Sequence, residues 1–202
     1  MRIAATVAGV VAVCATAVAG CTQTEAGQPV DTAENPPSSS AAEQPGDEVP
    51  KVQDPLDLAK FEQDPCSSLT VSQLDDLGVN TTGEAKDDIF GPVCRWKSDG
   101  VASVSVYYTV KGAKGMAQEY ANRDQHAYFE PMEPVRGYPL VARATDNPEN
   151  ITRCDVAVGV TDESIVQISI TQSLNKEGKE DPCVATRRVV EMVVETWKAG
   201  GA

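Results

Sequence analysis

The segment DPCVATRRVVEMVVETW, residues 181–197, carries the clearest structural signal in the chain. Asp is a favoured N-cap residue, and Pro suits the first helical turn, where its missing N–H would have no partner anyway. Apolar residues then recur at helical spacing, with charged residues on the opposite side: Val189, Val190, Val193, Val194 and Trp197. The segment therefore predicts an amphipathic helix that packs on an apolar layer.

The same Asp-Pro-Cys triplet at Asp64–Cys66 predicts a second helix start. There the helix restarts after one turn, because Thr70 and Gln73 form a capping-box pattern. Gly78 fits the left-handed residue that follows a helix.

Between these two motifs the sequence predicts strands and one further helix. SVSVYYTV (Ser103–Val110) alternates polar and apolar residues, and LVARAT, ITRCDVAVGV and SIVQISITQ predict three more strands. Lys114–Ala127 predicts a middle helix with four residues facing inward: Met116, Ala117, Tyr120 and Ala121. About three helices on an antiparallel sheet make an α+β domain.

The N-terminal residues 1–20 have the layout of a secretory signal peptide. Arg2 gives a positive start, residues 3–19 are uncharged and rich in Ala and Val, and Ala19 and Gly20 are small enough for a peptidase cleft. A transmembrane helix is the alternative, but the run is at the short and weakly apolar limit for spanning a bilayer.

The sequence VAGC at Val18–Cys21 resembles the bacterial lipobox. The resemblance implies cleavage before Cys21, a diacylglyceryl thioether on its sulfur and acylation of the new amino group. Two or three acyl chains hold a protein stably on a membrane, whereas one anchors it only marginally. We therefore expect a lipid-anchored protein on the extracytoplasmic face of the cell membrane. An ordinary cleaved signal with a chance cysteine is the alternative.

Residues 21–57 are predicted to be the lipidated cysteine and a disordered tether. Residues 22–55 hold six prolines, seven acids and one lysine, without an aromatic residue. Such a segment buries too little apolar surface to offset its ordering entropy. Whether the tether acts as a leash of required length stays open. Residues 58–202 are predicted to be one globular domain.

The charge of the chain excludes one class of partner. With 17 basic and 30 acidic side chains the formal net charge is −13, and no basic cluster stands out. Phosphate backbones and anionic lipid surfaces repel such a chain, so we expect no nucleic-acid partner. The membrane link accordingly needs to be covalent.

Four cysteines of the predicted domain stand at two helix starts (Cys66, Cys183) and two strand starts (Cys94, Cys154). An exported protein meets oxidising conditions, so we expect them to pair. Three pairings are possible. We favour Cys66–Cys94 and Cys154–Cys183, because each bridge would tie a helix start to a strand. No two of them lie within C-x-x-C distance, which disfavours a metal or redox site.

Several of these stretches together resemble one family. DPCSSLTVSQLDDLG, GPVCRW, a GYP turn, CDVAVGV and DPCVATRRVVEMVVETW, behind a lipobox and a Pro/Ser-rich tether, are similar to the actinobacterial envelope lipoproteins grouped as domain of unknown function 3558. The resemblance covers residues 60–198 and includes the four cysteines. By analogy it implies a small helix-and-sheet sandwich of the Mog1/PsbP-like kind, and it implies no catalytic residues.

Residues that could carry chemistry are few. His126, the one histidine, is expected on the middle helix, and no G-x-S-x-G elbow places a serine for it. Asp75 and Asp76 are adjacent on a helix and so do not share a face. Asp87 and Asp88 are expected in a loop with Glu84, without the spacing of a calcium loop.

Two further stretches are candidate binding features. Gly112–Gly115 opens the middle helix and could hold an anion, although a flexible turn is the simpler interpretation. Tyr128–Pro131 and Gly137–Pro139 are expected in loops after that helix, where an apolar ligand could bind or the rings could simply cover the core.

The sequence thus predicts a non-catalytic ligand-binding or protein-interaction module of the cell envelope, without a cofactor or metal. Its partner would be an envelope protein, a lipid or a glycan. The alternative is an envelope hydrolase built on carboxylates, since the distance between such groups is invisible in a sequence.

Overall fold

The computed structural model describes residues 48–108, 114–145 and 152–200. Every strand pair in it is antiparallel, and the seven strands form one sheet in the order β1-β2-β3-β7-β6-β5-β4. The strands are β1 (Glu84–Asp88), β2 (Gly91–Lys97), β3 (Ser103–Tyr108), β4 (Tyr128–Val135), β5 (Tyr138–Ala144), β6 (Arg153–Thr161) and β7 (Ser164–Thr171). The predicted α+β class is confirmed.

Four α-helices accompany the sheet: α1 (Ala59–Gln63), α2 (Val71–Leu77), α3 (Gly115–Ala121) and α4 (Pro182–Lys198). The capping box of α2 is present, because Thr70 and Gln73 each accept a hydrogen bond from the other's backbone N–H. Gly78 follows in the left-handed conformation, with φ 66°. The Asp181 carboxylate caps α4 by accepting from the Cys183 N–H at 2.7 Å.

One face of the sheet is apolar and lies under α4. Val189, Val190 and the two valines one turn later, Val193 and Val194, are all fully buried. They pack on the inward side chains of the central strands, among them Val106, Val156 and Ile168. The edge of the Phe61 ring on α1 meets Trp197, with 6.4 Å between ring centroids. The predicted amphipathic helix therefore supplies the main core.

The opposite face of the sheet is covered in part by α3. Met116 and Tyr120 pack there on three strand residues, Val141, Ala157 and Ile165. The turn into α3 needs glycine, because Gly115 has φ 56° and a Cβ there would collide with the Asp162 backbone. The rest of this face carries polar side chains.

Both predicted disulfides, Cys66–Cys94 and Cys154–Cys183, are confirmed, each with 5.1 Å between Cα atoms. The first joins a 3-10 turn (Pro65–Ser68) to β2, and the second joins β6 to the first turn of α4. Each bridge stabilises the domain by restricting the unfolded chain.

The middle helix is shorter than predicted. It ends at Ala121, and Ala117 and Ala121 are exposed, whereas Met116 and Tyr120 face inward as expected. The segment Asn122–Gln125 that follows has no apolar side chain to bury, so the chain leaves the helix through a 3-10 turn. His126 lies beyond that turn.

The edge strand β4 was expected to be a loop. Pro131 and Pro134 weaken its strand signal, but an edge strand tolerates proline because one of its sides forms no ladder hydrogen bonds. A tight turn at Arg136 and Gly137, with φ 51° and 90°, then leads into β5. Tyr138–Pro139 therefore begins a strand rather than lying in a loop.

The other edge strand, β1, was also expected to be a loop. All five of its residues are exposed, so no apolar alternation announces it. Charged side chains on an edge strand discourage pairing with other chains. Asp87 and Asp88 thus belong to a strand rather than to a calcium-binding loop.

The packed domain begins before the predicted boundary at Leu58. Val52 is 8 % exposed, and its N–H donates to the Asp162 carboxylate at 3.0 Å. The Leu56 N–H donates to the Val160 carbonyl at 3.0 Å. The boundary is corrected because these apolar residues, spaced among prolines and acids, bury themselves against the β6–β7 hairpin.

Candidate functional site

The predicted anchor and tether lie largely outside the described residues. Cys21, the signal peptide at residues 1–20 and the tether up to residue 47 belong to this part, so lipidation stays a prediction. Within the described ranges no helix is long and apolar enough to cross a membrane.

A cleft of about 740 Å³ opens between α2 and α4 on the apolar face of the sheet. Its apolar residues come from the end of α2, from β3 and β7, and from the start of α4: Leu77, Val79, Ala102, Val104, Ile170, Val184 and Ala185. We call it the α2–α4 cleft. Its volume lies within the range of small-molecule sites, roughly 300–1,000 Å³.

Gln172 lines this cleft, and its side-chain oxygen is buried without a partner among the described residues. Gln172 is 4 % exposed, and its side-chain oxygen accepts no hydrogen bond from the described residues. An unpaired buried acceptor costs free energy, on the order of 1–3 kcal/mol. A ligand that donates a hydrogen bond to it would remove that cost.

The cleft entrance carries charged groups of both signs, and two of them form an ion pair with each other. Lys176 and Glu180 form an ion pair at 2.9 Å, and Asp181 is engaged as the cap of α4. Asp76 and Arg188 also line the entrance, and no ion pair joins either to another described residue. The cleft therefore carries no strong excess of charge.

A polar row crosses the opposite face of the sheet. Strand pairing aligns Glu84, Arg95, Ser105, Ser169, Asp155 and Arg143 from β1 to β5. We call it the arginine row. Arg95 donates to Ser105 at 3.1 Å, Arg153 lies 2.9 Å from the Asp155 carboxylate, and Ser169 hydrogen-bonds to Asp155. The hydrogen bonds form two groups, one around Arg95 and Ser105 and one around Asp155 and Ser169.

Tyr107 stands beside this row, one pair further along β3. Its phenol oxygen accepts from Arg95 Nη2 at 2.9 Å. Partial burial would raise the pKa of Tyr107, but the hydrogen bond and charge of Arg95, with the charge of Arg153, lower that pKa below its usual value.

A buried ion pair closes the row under α3. Arg143 Nη1 lies 2.8 Å from Glu119 Oε2, although the angle is not that of a hydrogen bond. Burial raises the pKa of Glu119, and the charges of Arg143 and His126 offset part of that effect. This ion pair joins α3 to β5 at the border between the apolar contact of α3 and the polar part of the same face.

The residues singled out in the sequence are not brought together. The His126 ring stacks on Phe129, with 6.3 Å between ring centroids. Asp75 and Asp76 are exposed on α2, and Asp87 is exposed on β1. No three His, Cys, Asp or Glu side chains of the described ranges could hold a metal ion together.

The two expected aromatic patches have separate surroundings. Phe129 packs with Tyr120 on the α3 side, at 5.4 Å between ring centroids. Tyr138 is 1 % exposed and belongs to the main core, with Lys198 over its ring at 5.4 Å. The rings therefore cover the core and form no shared binding patch. Of Gly112–Gly115, residues 112 and 113 lie outside the described part.

Comparison with protein families gives one clear result. The family model described as Protein of unknown function (DUF3558) matches residues 16–196. The chain belongs to this family. No curated protein and no solved structure matches it, so the Mog1/PsbP-like analogy stays a prediction. Membership in this family brings no activity or site residue.

Neither candidate surface was apparent in the sequence. The cleft depends on a gap between two helices that are far apart in the chain. The arginine row left a weak signal, since Ser103, Ser105 and Tyr107 alternate with apolar residues on β3. That alternation shows one polar face but does not show which strands lie beside it.

Proposed function

We propose that this member of the DUF3558 family is anchored by lipid at Cys21 on the extracytoplasmic face of the cell membrane. We propose further that its domain binds a small amphipathic molecule in the α2–α4 cleft without converting it. Such a ligand has an apolar body and a hydroxyl or amide group that donates a hydrogen bond to Gln172.

The observation that carries the proposal is an apolar cleft with one unpaired acceptor. Its apolar side chains Val104 and Ile170 favour an apolar ligand body, because the release of water from such a surface lowers the free energy. The oxygen of Gln172 favours a ligand with a donor group at the same place. A few placed polar groups on an apolar wall are typical of ligand pockets.

The cleft proposal is tested with monooctanoylglycerol, a soluble probe with an acyl chain and two hydroxyl donors. Calorimetric titration of residues 22–202 should show saturable binding. Ala185→Trp fills the cleft beside α4 and should weaken binding about tenfold or more, by excluding the acyl chain. Ala117→Trp is the matched control, because Ala117 is exposed on α3 on the other face.

A second variant separates the polar contact from the apolar one. Gln172→Leu keeps the approximate volume but removes the acceptor, and should weaken binding about three- to tenfold. If Ala185→Trp and Ala117→Trp bind the probe equally well, the probe occupies another surface and the cleft proposal is wrong.

The anchor is tested in cells by fractionation and mass spectrometry. The native chain should sediment with membranes and carry a diacylglyceryl or triacyl group on an N-terminal Cys21. Cys21→Ala should appear in the soluble fraction. A free thiol at Cys21, or a Cys21→Ala chain that stays on the membrane, contradicts the anchor.

One observation keeps a carboxylate hydrolase as the second candidate. Asp76, Glu180 and Asp181 line the same cleft. Two of these acids are already engaged, one by Lys176 and one by the cap of α4, which favours binding over hydrolysis. Turnover of chromogenic glycosides that Asp76→Asn abolishes, with probe binding unchanged, would support the enzyme instead.

A further inference from the structure

The arginine row holds a group of donors whose hydrogen-bonding capacity is only partly used. Arg95 donates through Nε to Ser105 and through Nη2 to the Tyr107 oxygen. Its remaining nitrogen, Nη1, has no hydrogen-bond partner among the described residues. The Tyr107 oxygen accepts that hydrogen bond, and its hydroxyl also interacts with Ser105.

A second guanidinium acts on the same phenol. Arg153 donates to Asp155 and, through Nη2, to Ser169 at 3.3 Å. Its interaction with Tyr107 contributes to the protonation equilibria of both side chains. Arg95 on β2, Tyr107 on β3 and Arg153 on β6 thus lie on one face of the sheet, within four neighbouring strands, β2, β3, β7 and β6.

Arg95 interacts electrostatically with Glu84 but forms no ion pair with a carboxylate of the described residues. Glu84, its neighbour in the row, lies 3.0 Å from Lys97 and 3.8 Å from Lys86. Asp155 is engaged by Arg153 and Ser169. No carboxylate of the described residues lies within ion-pair distance of Arg95.

The surroundings suit a hydroxylated ligand. Ser103, Thr171 and Gln167 lie on the same face, in the rows on either side of Ser105 and Ser169. They present hydroxyl and amide groups that can exchange hydrogen bonds with sugar hydroxyls. A groove of about 370 Å³ continues from here toward β1. Val93, Arg95 and Tyr107 line it together with five residues of β1 and the turn after it: Glu84, Lys86, Asp87, Asp88 and Ile89.

We propose that Arg95, Tyr107 and Arg153 bind the carboxylate or phosphate group of an acidic sugar. Arg95 and Arg153 supply charge-assisted hydrogen bonds to the oxyanion, and the Tyr107 hydroxyl turns from Ser105 to donate a hydrogen bond to the same group. The site lies on the face of the sheet opposite the α2–α4 cleft and is independent of ligand binding there.

The test uses the full chain in a neutral detergent, titrated with four probes. Glucuronate and glucose 6-phosphate present the two oxyanions on a sugar, glucose is the neutral control, and inorganic phosphate lacks the sugar. We expect both acidic sugars to bind, glucose to show no binding, and inorganic phosphate to bind more weakly than glucose 6-phosphate. Equal binding of glucose overturns the proposal, because charge would then play no part.

Two variants and a matched control assign the binding to these residues. Arg95→Gln should weaken acidic-sugar binding about tenfold or more, and Tyr107→Phe about three- to tenfold. Lys97→Gln removes a cation from the same face, but one already paired with Glu84, and should change binding less than about twofold. Equal losses in Lys97→Gln and Arg95→Gln would show a non-specific charge effect and overturn the proposal.

A spectroscopic signal distinguishes binding from a structural role. The ultraviolet absorbance of tyrosinate follows the deprotonation of the tyrosines. The titration step that is absent in Tyr107→Phe gives the pKa of Tyr107. Bound glucuronate or glucose 6-phosphate should raise that pKa, because an adjacent anion disfavours the phenolate. Binding that leaves the tyrosinate titration unchanged takes place elsewhere and contradicts the proposed site.

Discussion

Tyr107 and Tyr108 are neighbours on β3 and lie on opposite faces of the sheet. Tyr108 is 2 % exposed, and its oxygen is hydrogen-bonded to Ser68 at 2.7 Å and to Trp197 at 2.9 Å. Tyr107 is half-buried among arginines. Burial raises the pKa of Tyr108, whereas the arginines lower that of Tyr107. These adjacent residues of one strand thus differ in role, since Tyr108 belongs to the core and Tyr107 to the proposed binding site.

The same division holds for the whole sheet. The face under α4 is apolar across its central strands and carries the stability of the domain. The opposite face is apolar only under α3, and its remaining area holds a hydrogen-bonded network at the surface. A face that contributes little to stability can accept substitutions that alter binding without unfolding the domain. We therefore expect mutations on the apolar face to lower stability and mutations on the polar face to change binding.

The largest difference should appear at the adjacent pair Gln167 and Ile168. Ile168→Ala removes a fully buried side chain under α4 and should lower the free energy of unfolding by about 3–4 kcal/mol. Gln167→Ala loses hydrogen bonds to Arg143 and Ser169 at a partly exposed position and should cost about 1 kcal/mol or less. Urea unfolding of both variants measures the difference. Equal losses of stability would contradict the view that the face under α4 stabilises the domain more than the opposite face does.

The next effect concerns the segment before α1, which packs on the β6–β7 hairpin. A chain that starts at Leu58 lacks the burial of Val52 and the hydrogen bond from Leu56 to Val160. We expect it to melt about 6–10 °C below a chain that starts at Glu48, since about 2–3 kcal/mol is lost from a domain of this size. If the two chains melt within about 2 °C of each other, the residues before Leu58 add little stability, as a domain boundary at Leu58 predicts.

A smaller effect is expected from the two tyrosine hydroxyls. Tyr108→Phe leaves Ser68 Oγ and the Trp197 indole N–H without their shared buried partner, and should cost about 2 kcal/mol. Tyr107→Phe removes a hydroxyl at a partly exposed site and should change stability by less than about 0.5 kcal/mol. Chemical denaturation of both variants measures this, and a reversed order would mean that Tyr107 is the structural hydroxyl.

The parts of the fold that the sequence predicted have signals that lie close together in the chain. The cap at Asp181, the valine spacing of α4 and the capping box at Thr70 are all local patterns. The cysteine pairing was favoured because each bridge would tie a helix start to a strand, and both bridges are present, although Cys94 lies inside β2 rather than at its start. Local patterns fixed the helix caps and the valine spacing regardless of strand order.

The features that were missed depend on position in the sheet. β4 carries two prolines and β1 is wholly exposed, and both are possible only because these strands are the edges. The arginine row needs β7 to lie between β3 and β6, which brings Ser105, Ser169 and Asp155 into register. That neighbour relation spans more than 60 residues of chain and leaves no local pattern.

The smallest predicted effect is the response of the two tyrosines to alkaline pH. The folded-state pKa of Tyr108 is raised above its unfolded value near 10, so its contribution is complete below about pH 10 and declines as pH rises further. The contribution of Tyr107 to stability has the opposite pH dependence, since its lowered pKa gives a contribution that is present above pH 10 and lost as pH falls.

Between pH 9 and 11 the native chain should therefore lose about 1 kcal/mol more than Tyr108→Phe, at a slope of at most about 1.4 kcal/mol per pH unit. Tyr107→Phe should lose slightly more than the native chain over the same range. Tyr120 and Tyr128 titrate in all three proteins, so their contributions cancel in the differences. Urea unfolding at each pH measures these values, and identical pH dependence in the three proteins would mean that the two faces do not hold their tyrosines in different environments.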